Sequence, residues 1–130
     1  MSIRTEIETK LATFAAAQVP PIPVAYENVA FTKPTTGRYL EIHFLDSASK
    51  SRNVEANGKR VTGMFQINCY APLGKGMASL EALRDAVVAL YPVVPKMETV
   101  SIEAPLSWSG SFVQDAFICI PITGQYRSEF

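Results

Sequence analysis

Histidine is almost missing from this sequence: His43 is the only one in 130 residues. Any histidine-based nucleophilic catalysis has to run through that one side chain. Cysteine is nearly as scarce. Cys69 and Cys119 are the only two, and their spacing is neither a CxxC redox motif nor a zinc pattern. Each sits in an apolar, strand-like run, Phe65–Tyr70 and Phe117–Ile122, where a buried reduced thiol belongs. A surplus of either charge is absent too, with 12 basic and 12 acidic residues. A dedicated nucleic-acid binder shows a basic excess on one face, so the balance argues against that class. Long apolar runs are lacking. The longest, Ala86–Pro95, holds Pro92 and Pro95 and is too short to span a membrane. Met1–Lys10 alternates charged and apolar residues, unlike a secretory signal. The expected setting is the cytoplasm, with reduced thiols and no membrane partner.

What is present suits one small domain over residues 1–130. A chain of this length buries roughly two-thirds of its unfolded surface, enough for a real core. The 48% hydrophobic content is ordinary and the 18% charged content is low. That combination has two readings: surface hidden in an assembly, or simply a well-filled core.

Ile3, Ile7, Leu11 and Phe14 recur at helical spacing, with Ser2 as the cap. The helix must stop before Pro20, Pro21 and Pro23. Val24–Tyr26 reads as a short edge strand, and Glu27–Gly37 as an ordered loop. Arg38–Leu45 alternates, with Leu40, Ile42 and Phe44 on one face and Tyr39, Glu41 and His43 on the other. Asp46–Lys59 is polar and holds the turn-forming pair Asn57-Gly58. Val61–Tyr70 alternates again, so the two strands form a hairpin with a long tip. Ala71–Gly76 is a corner, and Met77–Tyr91 is a second helix with the stripe Met77, Leu80, Leu83, Val87 and Leu90. Thr99–Glu103 is a weak strand, and Pro105–Gly110 turns the chain. Phe112–Thr123 reads as the last and longest strand. Within it Ile118, Ile120 and Ile122 oppose Phe117 and Cys119, and Pro121 implies an edge or a bulge. The expected fold is α+β: two helices on one face of a largely antiparallel or mixed sheet, with a long β-hairpin loop.

The candidate sites each have a plain alternative. His43 and Glu41 share a strand face and can orient a base, yet no serine or cysteine has a nucleophile setting. Trp108-Ser109-Gly110 is not a nucleophile elbow. Glu81 and Asp85 can share a divalent ion, but with Arg84 between them a solvated helix face explains them better. Gly74-Lys75-Gly76 precedes a helix and can hold an anion. It lacks the full phosphate-loop pattern, and a tight corner accounts for the glycines. Lys50, Arg52, Lys59 and Arg60 make the long loop a mildly basic protrusion, suited to nucleic acid, an acidic partner or a neighbouring subunit. No catalytic, cofactor or metal residue is assigned.

Two stretches carry a resemblance. One is Tyr26-Glu27-Asn28-Val29-Ala30-Phe31-Thr32-Lys33-Pro34, followed by Tyr39-Leu40. The other is Gly63-Met64-Phe65-Gln66-Ile67-Asn68-Cys69-Tyr70-Ala71-Pro72-Leu73-Gly74-Lys75-Gly76, running into the second helix. Together they resemble the tail terminator proteins of long-tailed bacteriophages, of the lambda type, and the resemblance extends from the first helix to Tyr126. It implies a structural virion protein without enzymatic activity or cofactor, assembled in the bacterial host cytoplasm. Such proteins cap the tail tube, stop its polymerisation and offer the surface for head-tail joining. The implied partners are further copies in a ring, typically a hexamer, then the tail-tube protein and a head-completion or connector protein. DNA passes through without specific binding. The expected contact residues are Lys50, Arg52, Lys59 and Arg60 on the loop, then Glu27, Asn28 and Phe31. Two alternatives stay open: another ring-forming neck or tube protein, and a small anion- or nucleotide-binding regulatory domain built on Gly74–Gly76.

Overall fold

The computed structural model describes residues 3–34, 37–46, 50–51, 59–74, 76–93 and 100–129. Helix α1 spans Ile3–Ala16. Ile7, Leu11 and Ala15 are buried, while Ile3 and Phe14 pack at the rim of the core. Glu6 is buried as well, a position that the apolar stripe did not indicate. The expected cap Ser2 lies outside the described residues. After the prolines the chain doubles back, and the Ile22 N–H donates to the Ala15 carbonyl at 3.0 Å.

Strand β1 (Val24–Ala25) runs parallel beside β2 (Tyr39–Asp46), with Val24 opposite Leu40. Strand β3 (Lys50–Ser51) pairs with the first residues of β4 (Lys59–Pro72), placing Lys50 opposite Arg60. The long tip of the hairpin therefore has a laddered base. Its local sequence gives no alternation, and only the partner strand defines the pairing.

Helix α2 (Ala78–Leu90) buries Leu80, Leu83 and Val87, as its stripe requires. It follows Gly74 and Gly76, whose φ values of 83° and 77° are strained for other residues. Strands β5 (Val100–Ile102), β6 (Ser107–Trp108), β7 (Phe112–Gln114) and β8 (Phe117–Glu129) complete the chain.

All eight strands join one sheet in the order β1-β2-β4-β8-β5, with β6 and β7 also on β8. Among the described strands only β1 is parallel to its neighbour, so the sheet is mixed and the fold is α+β. The long central strands β4 and β8 pair from Arg60–Glu129 to Pro72–Phe117.

Two readings near the C-terminus are corrected, and of the two alternatives for Pro121 one is kept. Phe112–Thr123 is not one strand. The chain reverses at Asp115-Ala116, and β7 folds back on β8 with Gln114 opposite Phe117. Asp115 supports the reversal at a φ of 56°, a conformation aspartate tolerates better than most residues. Pro105–Gly110 is not only a turn, because Ser107 and Trp108 pair with Thr123 and Ile122. Pro121 is not on an edge strand, since β8 has neighbours on both sides. The bulge alternative explains it. The Ser109 N–H reaches the Pro121 carbonyl at 3.2 Å, so Pro121 turns its backbone polar side toward the β6–β7 flank. The pairing register shifts by one residue between Trp108–Ile122 and Phe112–Cys119, and the missing N–H of Pro121 faces that interruption.

Both sheet faces are covered in part, for different reasons. The helix side holds the main core, where Leu40, Ile42, Phe65, Ile67 and Ile122 meet α1 and α2. Two glycines let aromatic rings lie flat against it. A Cβ on Gly124 would sit 2.5 Å from Phe65 Cζ, and one on Gly63 would collide with the Tyr126 ring. The Tyr91 hydroxyl donates to the Ile7 carbonyl at 2.7 Å and ties the two helices together. On the far face, Tyr39 stacks on Tyr70 at 4.4 Å and Phe117 meets Tyr39 edge-on at 5.1 Å.

Candidate assembly surface

The far face of the sheet carries a polar cluster beside those aromatics, because β2 and β4 place every second residue there. At its centre, Glu41 Oε1 accepts from Asn68 Nδ2 at 2.9 Å and from the Tyr70 hydroxyl at 3.1 Å. His43 Nε2 lies 3.0 Å from the same oxygen. Gln66 donates in turn to Asn68 at 2.8 Å. Burial pushes the Glu41 carboxyl up, but the bonds from Asn68, His43 and Tyr70 outweigh it and hold the group below its usual 4.5. A carboxyl with a lowered folded-state pKa stabilises the fold above its unfolded pKa, and this stability is lost as pH falls through the folded value. The stability of the native chain should therefore drop as pH is lowered below about 4.5. Glu41→Gln should flatten that part of the profile, read from urea midpoints between acidic and neutral pH. An unchanged acid limb in the variant would refute the assignment.

His43 bonds carboxylates rather than a nucleophile. Besides Glu41, its Nδ1 is 3.9 Å from Glu27 Oε2. Glu27 also pairs with Arg4 and accepts the Phe44 N–H at 3.0 Å. Its carboxylate thus substitutes for a neighbouring strand where β1 stops. The turn that aims it passes through Asn28, at a φ of 60°. Phe31 closes over Tyr39 at 5.5 Å, and Lys33 reaches Asp115 at 3.3 Å. Glu27 and Phe31 are therefore engaged inside the monomer, while Asn28 is exposed and shapes the turn between them.

Of the loop residues, Lys50, Lys59 and Arg60 belong to the β3–β4 ladder, and Arg52 lies outside the described residues. Arg84 contacts Asp85 at 2.9 Å and Glu81 at 4.0 Å, so the helix-face reading holds for that pair. Among the described residues no group of three or more potential metal ligands comes together. No helix among the described residues is long and apolar enough to cross a membrane. Cys69 and Cys119 are both free and buried. Burial pushes the Cys119 thiol up to about 11 and that of Cys69 higher still, which makes them packing groups rather than nucleophiles.

The two edges of the sheet differ, and sequence reasoning missed this. The β1 side is short and finished by the Glu27 carboxylate. The opposite side, β6 and β7, pairs only with β8 among the described residues. It leaves Trp108 48%, Phe112 45% and Val113 61% exposed. Trp108 and Val113 sit opposite Ile122 and Ile118 and so project to the helix side. There the Arg84 guanidinium lies 4.6 Å from the Trp108 ring centre. Phe112, opposite Cys119, projects to the other face, so this edge exposes apolar side chains on both sides of the sheet, as edges that take part in association do.

The family model described as phage tail terminator protein matches residues 2–126, so the chain belongs to the phage tail terminator family. It is accordingly a structural protein of the phage tail, located in the virion. One solved structure, with no functional description, is 32% identical over 98% of this chain and 94% of that one, with a TM-score of 0.83. A chain from the virion of a native gene transfer agent particle superposes with a TM-score of 0.64 at 18% identity, covering 99% of this chain and 96% of that one, which establishes the shared fold. No curated protein matches.

Proposed function

We propose that the protein caps the end of the phage tail tube as a ring of identical subunits, stops tube growth and presents the surface to which the head joins. The role is structural, without turnover or cofactor. The ring is a hexamer, its partners are the tail-tube protein and a head-completion or connector protein, and DNA passes through its centre. One observation supports this reading beyond family membership: the sheet has two unlike edges. A closed ring needs a head-to-tail interface between two different surfaces of each subunit. The finished β1 edge and the open, apolar β6–β7 edge are two such surfaces. The β3–β4 protrusion and the Glu27–Lys33 segment supply the contacts to the tube, through Lys50, Arg52, Lys59 and Arg60 and through the outer faces of Glu27, Asn28 and Phe31.

The test adds purified protein to polymerising tail-tube protein and images the products by electron microscopy. The expected result is tubes that stop growing and carry a ring of density at one end. Tubes that elongate unchanged, with the protein still monomeric and unattached, would overturn the proposal.

A further inference from the structure

A cavity of about 510 Å³ opens beside the corner that joins β4 to α2. Five prolines line it: Pro20, Pro21, Pro23, Pro34 and Pro72. Proline has no backbone N–H, so these walls are apolar and donate nothing. Among the described residues Arg38, just before β2, is the only charged residue on the lining. Among the described residues its guanidinium has no hydrogen-bond or ion-pair partner. Other arginines of this chain are treated differently: Arg4 holds Glu27 and Arg84 holds Asp85. A guanidinium beside an apolar cavity, with no acid of its own, fits an acid brought from outside.

The charge count decides which acid. A phosphate carries nearly two negative charges and three strong acceptor oxygens, which call for several donors. Among the described residues this cavity has one cation, with Ser79 as the only hydroxyl beside it, among largely apolar walls. A carboxylate matches it, with a single charge and two oxygens that suit the planar guanidinium fork. The prolines then contact whatever apolar groups carry the acid. We propose that the cavity binds a carboxylate borne on an apolar segment of a protein partner, with the carboxylate on Arg38 and its apolar neighbours against the prolines. This inference does not rest on the capping role.

Two small probes test it: N-acetyl-leucine, which presents a carboxylate on an apolar side chain, and N-acetyl-leucinamide, which lacks only the charge. Each is titrated into the isotope-labelled full chain and followed by amide NMR. The acid is expected to shift the signals of Gly37, Gly76 and Ser79 around the cavity, and the amide to bind about tenfold more weakly. Arg38→Gln should erase the difference between the probes, and Arg38→Lys should keep part of it. Should Arg38→Gln fail to fold, the comparison of the two probes on the unaltered chain decides alone. Equal binding of acid and amide, unchanged acid binding in a folded Arg38→Gln, or no acid-induced shift at these amides would overturn the inference.

Discussion

Gly124→Val is expected to be the most destabilising single change in the sheet, costing about 3 kcal/mol or more. Gly124 lies opposite Phe65 on the central strand pair. A Cβ there already falls 2.5 Å from Phe65 Cζ and 3.2 Å from Leu106 Cδ1. Phe65 has nowhere to go, since it is fully buried and packed edge-on against Tyr91 at 5.3 Å. Overpacking a filled core costs about 1–3 kcal/mol and sometimes more. Valine adds two further methyl groups, so its cost belongs at about 3 kcal/mol or above, a large part of the ~5–15 kcal/mol that holds a typical domain folded. Urea unfolding followed by circular dichroism measures it. Gly124→Ala should cost less, and Phe65→Leu combined with Gly124→Ala should recover part of the loss, because the two sites share the contact. Gly110→Ala is the control. Its Cβ meets nothing within 4 Å, so its stability should change by less than about 0.5 kcal/mol. A Gly124→Val protein as stable as that control would disprove the close packing.

Changing Trp108 and Val113 together to aspartate should do the reverse, sparing the fold and abolishing assembly. Both side chains are exposed at the open edge, so their loss removes little core. The Arg84–Trp108 contact contributes only about 0.5–1 kcal/mol at such a site. In an interface the same residues weigh far more. A buried tryptophan anchor is worth about 2 kcal/mol or more, or roughly thirtyfold in affinity at each contact. The new charges would also have to be desolvated. The double variant should therefore melt near the parent temperature yet leave tube ends bare by electron microscopy, with tails too long and unjoined to heads. Thr13→Asp, on the exposed side of α1, should cap normally. Normal capping by the double variant would remove the open edge from the subunit interface.

Much of the fold was readable because its signals are local. The spacing of Ile7, Leu11 and Leu80, Leu83, Val87 gave both helices. The alternation of Leu40, Ile42 and Phe44 gave β2 and its inward face. Gly74 and Gly76 marked the corner, and both have the positive φ that only glycine adopts freely. The errors had a common origin. Asp115-Ala116 contains neither glycine nor proline, so nothing local separated β7 from β8. Ser107 and Trp108 are strand residues only because β8 lies beside them. Glycines inside strands do signal a close approach. Gly63 and Gly124 could have been found by that rule, but not the rings that press on them.

The candidate surface was legible only in outline. The loop and the Tyr26–Pro34 segment stood out by composition and resemblance, and the match to the phage tail terminator family agrees with the resemblance. What they do inside the monomer was hidden. Glu27 completes the β2 edge and Phe31 roofs the Tyr39–Phe117 cluster, across contacts far apart along the chain.

By itself the sequence determined the helices, the inward faces of the main strands and the glycine corner. Each depends on residues within a few positions of one another, through periodicity, allowed φ or simple presence. Only the tertiary structure decided the order of the strands, and with it which edge Glu27 finishes and which edge is left to Trp108, Phe112 and Val113. It also brought five prolines from three segments around Arg38. An edge is free or covered according to what pairs beside it, and that partner can come from anywhere in the chain.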